Sequence, residues 1–503
     1  MFEQKILCIG SETEQTDFDV FELAQAHQSQ NWGLITDQYF EPKEPGFYHT
    51  SIADIPSGAI VVNLVRHFDS IKMLDQSMDT YPHFKSFVNT FRMMLLLEDQ
   101  QHTTVFRDNK HNQSILHWHS LLRENKSLCL YPFINLVTDS GSAVMCQKVS
   151  TPVAKISNIL DWSTDPSFAP IRNNMLAGIK MPDRCSLCYD REALGQESAR
   201  QFESLEWAMN LQLTDVDDIK KIVHPILYEI RPSNKCNIMC RMCDDLHSHL
   251  IEEENKKIGI PISTMQQNLQ DFPYEKINFE SAKQIYWAGG EPTIMPEFYK
   301  FLRACIKNKT TNFNLCIGTN AVKISDTLLD LLDHFEQVTF SVSFDGYGIV
   351  NDYIRWGTNF QSLKHNCKRI LERKHSLAFQ TVFSMYNATR IHEVYEFYDR
   401  EFPGCNTLVQ PAQPAELLGP WDHPFKEKVL ESMYRCQNTQ VYYNNGRNTN
   451  SLVEEMIDRY SNHHYDINVV RAFFDYNDKL DKSRGSKLED YIPELAMAKQ
   501  VLD

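Results

Sequence analysis

Long apolar runs are missing from this chain of 503 residues. A helix needs about 20 consecutive apolar residues to cross a bilayer. The longest candidate, Ala59-Ile60-Val61-Val62, breaks at Asn63, so no membrane span is expected. The opening Met1-Phe2-Glu3-Gln4-Lys5-Ile6 lacks the charged-then-apolar pattern of a secretory leader, and a cytoplasmic location is expected. A basic excess is missing as well. The net charge of −16 opposes general nucleic-acid binding, and nucleic acid is not an expected partner. Internal repeats and long low-complexity linkers are absent. Gly10-Ser11-Glu12, after the first predicted strand, is not a dinucleotide fingerprint. What is present is an ordinary globular composition, 42% hydrophobic and 23% charged. It is joined by 13 cysteines, which without an export signal point to metal or redox chemistry.

Three of those cysteines stand close together in Lys235-Cys236-Asn237-Ile238-Met239-Cys240-Arg241-Met242-Cys243, a C-x3-C-x2-C pattern. Three thiolates can hold three irons of a 4Fe–4S cluster and leave the fourth iron open to a ligand. Two other readings stay open on this segment alone. His247 follows by four residues, which allows a Cys3His zinc site in a non-catalytic interaction module. The i, i+4, i+7 spacing also allows three core cysteines on one helix face, although Pro232-Ser233-Asn234 favours a loop.

Some forty residues on, Gln284-Ile285-Tyr286-Trp287 reads as a strand that runs into Gly289-Gly290-Glu291-Pro292. Glycines permit close backbone approach, and proline blocks continuation of the strand. The two motifs together resemble the radical S-adenosylmethionine (radical SAM) superfamily. The resemblance implies a 4Fe–4S cluster on Cys236, Cys240 and Cys243. SAM would chelate the open iron, with the Gly289, Gly290, Glu291 and Pro292 turn beside its methionyl amino group. It extends to Asn314-Leu315-Cys316-Ile317-Gly318-Thr319-Asn320, to Ser341-Val342-Ser343-Phe344-Asp345-Gly346 and to Tyr353-Ile354-Arg355-Trp356-Gly357. By resemblance Ser343 and Asp345 would face the SAM ribose and carboxylate. Met242, where relatives often carry an aromatic, would lie near the adenine.

A second cysteine set precedes the first. Leu128-Cys129-Leu130-Tyr131-Pro132-Phe133, then Asp139-Ser140-Gly141, Cys146 and Cys185-Ser186-Leu187-Cys188 resemble the SPASM/twitch auxiliary-cluster module. Arg172, Met175 and Gly178 also suit it. The resemblance implies a second 4Fe–4S cluster on Cys129, Cys146, Cys185 and Cys188, with zinc on the same residues as the alternative. In most members of the family it resembles, such a module follows the barrel; here it would come first.

The expected fold is α/β. A partial (βα)6 TIM-like barrel at 221–445 follows an auxiliary module at 109–220 and a small α/β domain at 1–108. A mostly helical extension covers 446–503. Barrel strands are predicted at 226–230, 284–287, 313–318, 337–343, 378–383 and 407–411, and N-terminal strands at 5–9, 32–36 and 59–65. Helices are predicted at 18–28, after Asp69, and at 84–97, 199–213, 451–460 and 493–502. The resemblance implies an enzyme that cleaves SAM reductively and abstracts hydrogen from a substrate. A peptide or protein is the first choice of substrate, and a sugar or other small molecule the second. An electron donor such as flavodoxin or ferredoxin would serve it.

Overall fold

The computed structural model describes residues 109–139, 141–146, 153–155, 162, 165–193, 198–262, 277–412, 414–439, 442–443 and 447–502, with three strands nearer the start. The helices predicted at 18–28, after Asp69 and at 84–97 lie outside the described residues. Two compact units are distinguished, 1–125 with 201–216, and 126–200 with 217–503.

In the first unit, β1 (Ile6–Ile9), β2 (Trp32–Ile35) and β3 (Ile60–Asn63) form a sheet in the order β2-β1-β3. Both pairings are parallel, so each needs a crossover rather than a hairpin. Trp118, on helix Asn109–Glu124, is fully buried and donates through Nε1 to the Leu213 carbonyl at 2.8 Å.

The second unit is built on an eleven-stranded sheet. Its strands are β4 (Asn135–Asp139), β5 (Ser142–Val144), β6 (Ala154–Lys155) and β7 (Leu227–Arg231), then β9 (Gln284–Trp287), β10 (Asn314–Thr319) and β11 (Gln337–Ser343), and finally β13 (Ser376–Phe383), β14 (Asn406–Pro411), β15 (Tyr442–Tyr443) and β16 (Arg447–Asn448). A separate two-residue ladder joins β8 (Met239–Cys240) to β12 (Arg355–Trp356). The six predicted barrel strands are all present within about two residues. They stand in sequence order, β7-β9-β10-β11-β13-β14, and pair in parallel. Crossovers between parallel strands are almost always right-handed. When each new strand joins the same edge, that handedness puts every connecting helix on one face. Burial alternates accordingly along β9, β10 and β13. Ile285, Leu315, Ile317 and Phe379 are buried, while Tyr286, Cys316, Gly318 and Gln380 form the more open row.

The helices follow from local signals. Helix Pro296–Asn308 starts on a proline, and Phe298, Phe301, Leu302 and Cys305 bury one face at three- and four-residue spacing. Helix Phe360–Glu372 is capped by Asn359, which accepts from the Ser362 N–H at 2.9 Å. The C-terminal segment holds Thr449–Asn462 and Pro493–Leu502, as expected, and between them the longer Ile467–Arg484. Asp466 caps that helix, and Gly485 ends it in the left-handed region. Val470, Phe473 and Phe474 from it share a core with Val350, Tyr353, Met385 and Tyr386. Among the described residues no helix is long and apolar enough to cross a membrane.

Segment 109–220 was expected to be a module apart from the barrel. Its strand β4 pairs in parallel with β7, Asn135 opposite Leu227 and Asp139 opposite Arg231. The hairpin β4–β5 therefore extends the sheet beyond its first parallel strand.

Candidate functional site

The chain leaves β7 at Arg231 and turns at the buried Pro232 into the three-cysteine loop. The β8–β12 ladder sets Cys240 opposite Arg355 and Met239 opposite Trp356. Beside it, the Arg241 N–H donates to the Ile354 carbonyl at 2.8 Å. The Cys236 N–H donates to His249 Nδ1 at 3.2 Å. Cys236, Cys240 and Cys243 are partly buried free thiols. Burial pushes Cys236 up to about 11, with Cys240 the next influence. Burial raises Cys243 well above the usual thiol range, helped by Cys240, Asp244 and Cys236. These mutual influences put the three sulfurs in one neighbourhood.

The donor set fits a 4Fe–4S cluster: three soft thiols on one loop, pinned at both ends. The zinc alternative would add His247 as the fourth ligand. His247 Nδ1 instead lies 2.7 Å from Asp244 Oδ1, which also accepts the His247 N–H at 2.9 Å.

The Gly-Gly turn packs against this loop. The Gly290 N–H donates to the Ser233 carbonyl at 2.9 Å, and the Glu291 N–H to the Lys235 carbonyl at 2.8 Å. Gly289 has φ +120°, and a Cβ there would sit 2.5 Å from Ser233 O. A Cβ on Gly290 would overlap the Lys235 carbonyl. Both glycines are thus required by the approach of the cysteine loop itself.

Glu291 is fully buried, and burial raises its pKa. Its carboxylate accepts from the Thr293 N–H at 3.1 Å, Thr293 Oγ1 at 2.7 Å, Thr319 Oγ1 at 2.6 Å and the Asn320 N–H at 2.7 Å. Asn320 Nδ2 donates in turn to Asn237 Oδ1 at 2.8 Å. Glu291 ties the turn to the end of β10, and Asn320 ties that end to the cysteine loop. Pro292 opens a buried 3-10 turn behind it.

Ser343 is half-buried at the end of β11, opposite Gln380. Asp345, two residues on, is fully buried. One carboxylate oxygen accepts from Arg355 Nη1 at 2.7 Å, the other from the Val382 N–H at 2.7 Å. Met242 is partly buried against the core that holds Tyr353 and Tyr386. On the open row, burial pushes Tyr286 up to about 12, with Glu229 the next influence and a Gln380 hydrogen bond opposing it. A Cβ on Gly318 would overlap the Tyr286 hydroxyl, so glycine in β10 gives the phenol its room. Glu229 pairs with Arg231 at the end of β7. Arg355, Tyr286 and Glu229 were missed in the sequence; strand period 2 places the last two on this face, but nothing local marks them as functional.

Of the second cysteine set, Cys129 is buried, and Cys146, Cys185 and Cys188 are partly buried. Cys185 and Cys188 share helix Pro182–Ala193, which kinks at Cys185. Burial pushes Cys185 up to about 11, with Tyr189, Cys188 and Arg200 among the further influences. Arg200 donates to the Leu128 carbonyl at 2.7 Å and pairs with Glu192 at 2.8 Å. It thereby joins the Cys129 loop to the Cys185–Cys188 helix. Cys129 precedes β4, and Cys146 follows the antiparallel β5. Both belong to the N-terminal end of β4, while the Cys236 loop leaves the opposite strand end, about 16 Å away along five residues.

Residues 230–398 match the family model described as Radical SAM superfamily. No curated protein matches the chain. Streptococcus suis SuiB aligns at 16% identity and a TM-score of 0.28, over 46% of this chain and 51% of that one. SuiB bound to precursor peptide SuiA aligns at 14% and 0.29, over 65% and 64%. Native anSMEcpe with bound AdoMet aligns at 18% and 0.32, over 42% and 58%. The chain thus spans about half the length of the first of these structures. The matched residues take in the three-cysteine loop, the Gly289-Gly290 turn and Asp345.

Proposed function

We propose that this chain is a radical SAM enzyme of partial-barrel fold. Cys236, Cys240 and Cys243 would hold a 4Fe–4S cluster and SAM would take its open iron. When bound, such a cluster would supply the one-electron reduction that cleaves SAM to methionine and a hydrogen-abstracting 5′-deoxyadenosyl group. The observation that carries this reading is the gathering of three thiols on a loop locked to the Gly-Gly turn by two backbone hydrogen bonds.

The chain's own residues supply position and exclusion of water. Gly289 and Gly290 seat the loop, Glu291 fixes it to β10, and the β8–β12 ladder closes it from the other side. Ser343 and Met242 would line the cofactor at the ribose and adenine. Asp345 would act at one remove, by holding Arg355. The row with Tyr286 and Gln380 faces away from the helices and offers a polar wall to the substrate, which we take to be a peptide or protein, reduced chemistry being supplied by a flavodoxin or ferredoxin.

Cys129, Cys146, Cys185 and Cys188 would hold a second 4Fe–4S cluster. Its place at the far strand ends favours an electron-relay or structural role over contact with substrate. The segment 1–108 would bind or orient the substrate.

The test is anaerobic incubation of reconstituted protein with SAM and dithionite. Conversion to 5′-deoxyadenosine is expected, and loss of that product in Cys240→Ala. Equal product from the variant would refute the assignment.

A further inference from the structure

Arg355 is a buried cation with 9% of its surface exposed, and it stands directly opposite Cys240 in the β8–β12 ladder. Residues directly opposite in an antiparallel pair project to the same side. Its Nη1 donates to Asp345 Oδ2 at 2.7 Å. Asp345 is held in turn by the Val382 N–H on Oδ1 and by Asn387 Nδ2, which donates to its carbonyl at 2.8 Å. The guanidinium is therefore fixed from behind. Its Nε, by contrast, is buried and has no hydrogen-bond partner in the protein.

A charged donor left buried without an acceptor is costly and calls for an anionic partner. The residue directly opposite Arg355 in the ladder is Cys240. Burial is the largest influence on the guanidinium and disfavours its charge; Cys240, then Asp345 and Cys236, outweigh that burial. Among the charges around Cys240, Arg355 is the strongest, ahead of Asp345 and Arg484. A guanidinium that served only to neutralise Asp345 would have no need to face the cysteine loop.

We propose that Arg355 presents its charge and its free Nε–H to the cluster held by Cys236, Cys240 and Cys243, and so sets that cluster's reduction potential. The proposal rests on the reading that this loop binds a 4Fe–4S cluster. One-electron reduction adds a negative charge to the cluster. A fixed cation, and an N–H donated to a sulfur, stabilise the reduced form more than the oxidised form. Arg355 would then make the electron transfer to SAM reachable for the donor, while Asp345 keeps the guanidinium aimed.

The experiment is a reductive titration of the full reconstituted chain without SAM, followed by electron paramagnetic resonance (EPR). R355Q is expected to load iron and sulfide as the native protein does and to show a more negative midpoint. R355K keeps the charge but not the planar Nε–H, and its midpoint should fall between the two. If R355Q does not load, native protein labelled with 15N-arginine gives the second readout. Pulsed EPR of its reduced cluster should detect a coupled arginine nitrogen that R355K lacks. An unchanged midpoint in fully loaded R355Q, or no arginine coupling in the native protein, overturns the proposal. So does weaker SAM binding with an unchanged midpoint, which would make Arg355 a carboxylate-binding residue. Native protein that takes up no iron overturns the cluster reading first, and this proposal with it.

Discussion

Arg241 and Asp481 are 240 residues apart in sequence and 2.6 Å apart in space, Nη2 to Oδ1. Arg241 lies between the second and third cysteines of the loop and is wholly buried. Its Nε donates to the Tyr353 carbonyl at 2.9 Å, Nη1 to Asn477 Oδ1 at 2.9 Å, and Nη2 also to Ser486 Oγ at 2.9 Å. The guanidinium lies 3.6 Å from the centre of the Tyr353 ring, whose hydroxyl donates to Asp481. Arg484 reaches from the same C-terminal helix to Glu254 at 2.5 Å, on the helix that follows the loop. The C-terminal segment is therefore a clamp on the cysteine loop.

Asp481→Asn should break that clamp. A buried charge that loses its partner costs about 3–5 kcal/mol. Urea unfolding should report a loss of that order, and a chelator should strip iron from the variant faster than from native protein. Native stability together with a native iron-release rate would show that the clamp is idle.

Gly290→Ala should displace the cysteine loop, because its Cβ would overlap the Lys235 carbonyl. We expect at least a tenfold loss of iron uptake, with the far-ultraviolet circular dichroism of the native fold. Gly404→Ala is the control. Gly404 has φ +79° but nothing within 4 Å of an added Cβ, so about 1 kcal/mol of backbone strain and no change in iron are expected.

Acid should weaken the fold through buried histidines. Burial, with Lys428 adding to it, brings His423 down to about 3. Its Nδ1 accepts the Phe425 N–H at 3.1 Å, which a proton there would forbid. A folded-state value below the unfolded value of about 6.5 means that the unfolded chain binds the extra proton between pH 6.5 and 3. This contribution is whole above pH 6.5 and is lost as pH falls, at about 1.4 kcal/mol per unit. His423→Gln should flatten the decline of the urea midpoint between pH 6.5 and 4.5. An unchanged slope would place the acid sensitivity elsewhere.

Two clusters would bring about eight irons per chain. Replacing Cys236, Cys240 and Cys243 together by Ala should leave about half. Iron falling to none, with zinc in its place, would assign Cys129, Cys146, Cys185 and Cys188 to zinc.

What was legible in the sequence was local. Short apolar runs and the motifs at their ends located β9, β10, β11 and β13, and cysteine spacing located the loop. His247 shows the risk of spacing taken alone, since its ring serves an Asp244 turn. What was not legible depends on contacts made across long stretches of chain. Nothing near Arg241 announces Asn477 or Asp481, and nothing near β4 announces its pairing with β7 some ninety residues away. The glycines were legible as a motif, but their physical cause, the Ser233 and Lys235 carbonyls, needed the fold.

The most direct test of the central claim asks whether SAM coordinates the cluster of this loop. Reduced, reconstituted protein would be mixed with SAM labelled with 13C at its carboxylate and studied by pulsed electron–nuclear double resonance. The account predicts a hyperfine coupling from the carboxylate carbon to the cluster spin, absent in Cys240→Ala. A fully reduced cluster at Cys236, Cys240 and Cys243 that shows no coupling at saturating SAM would contradict it.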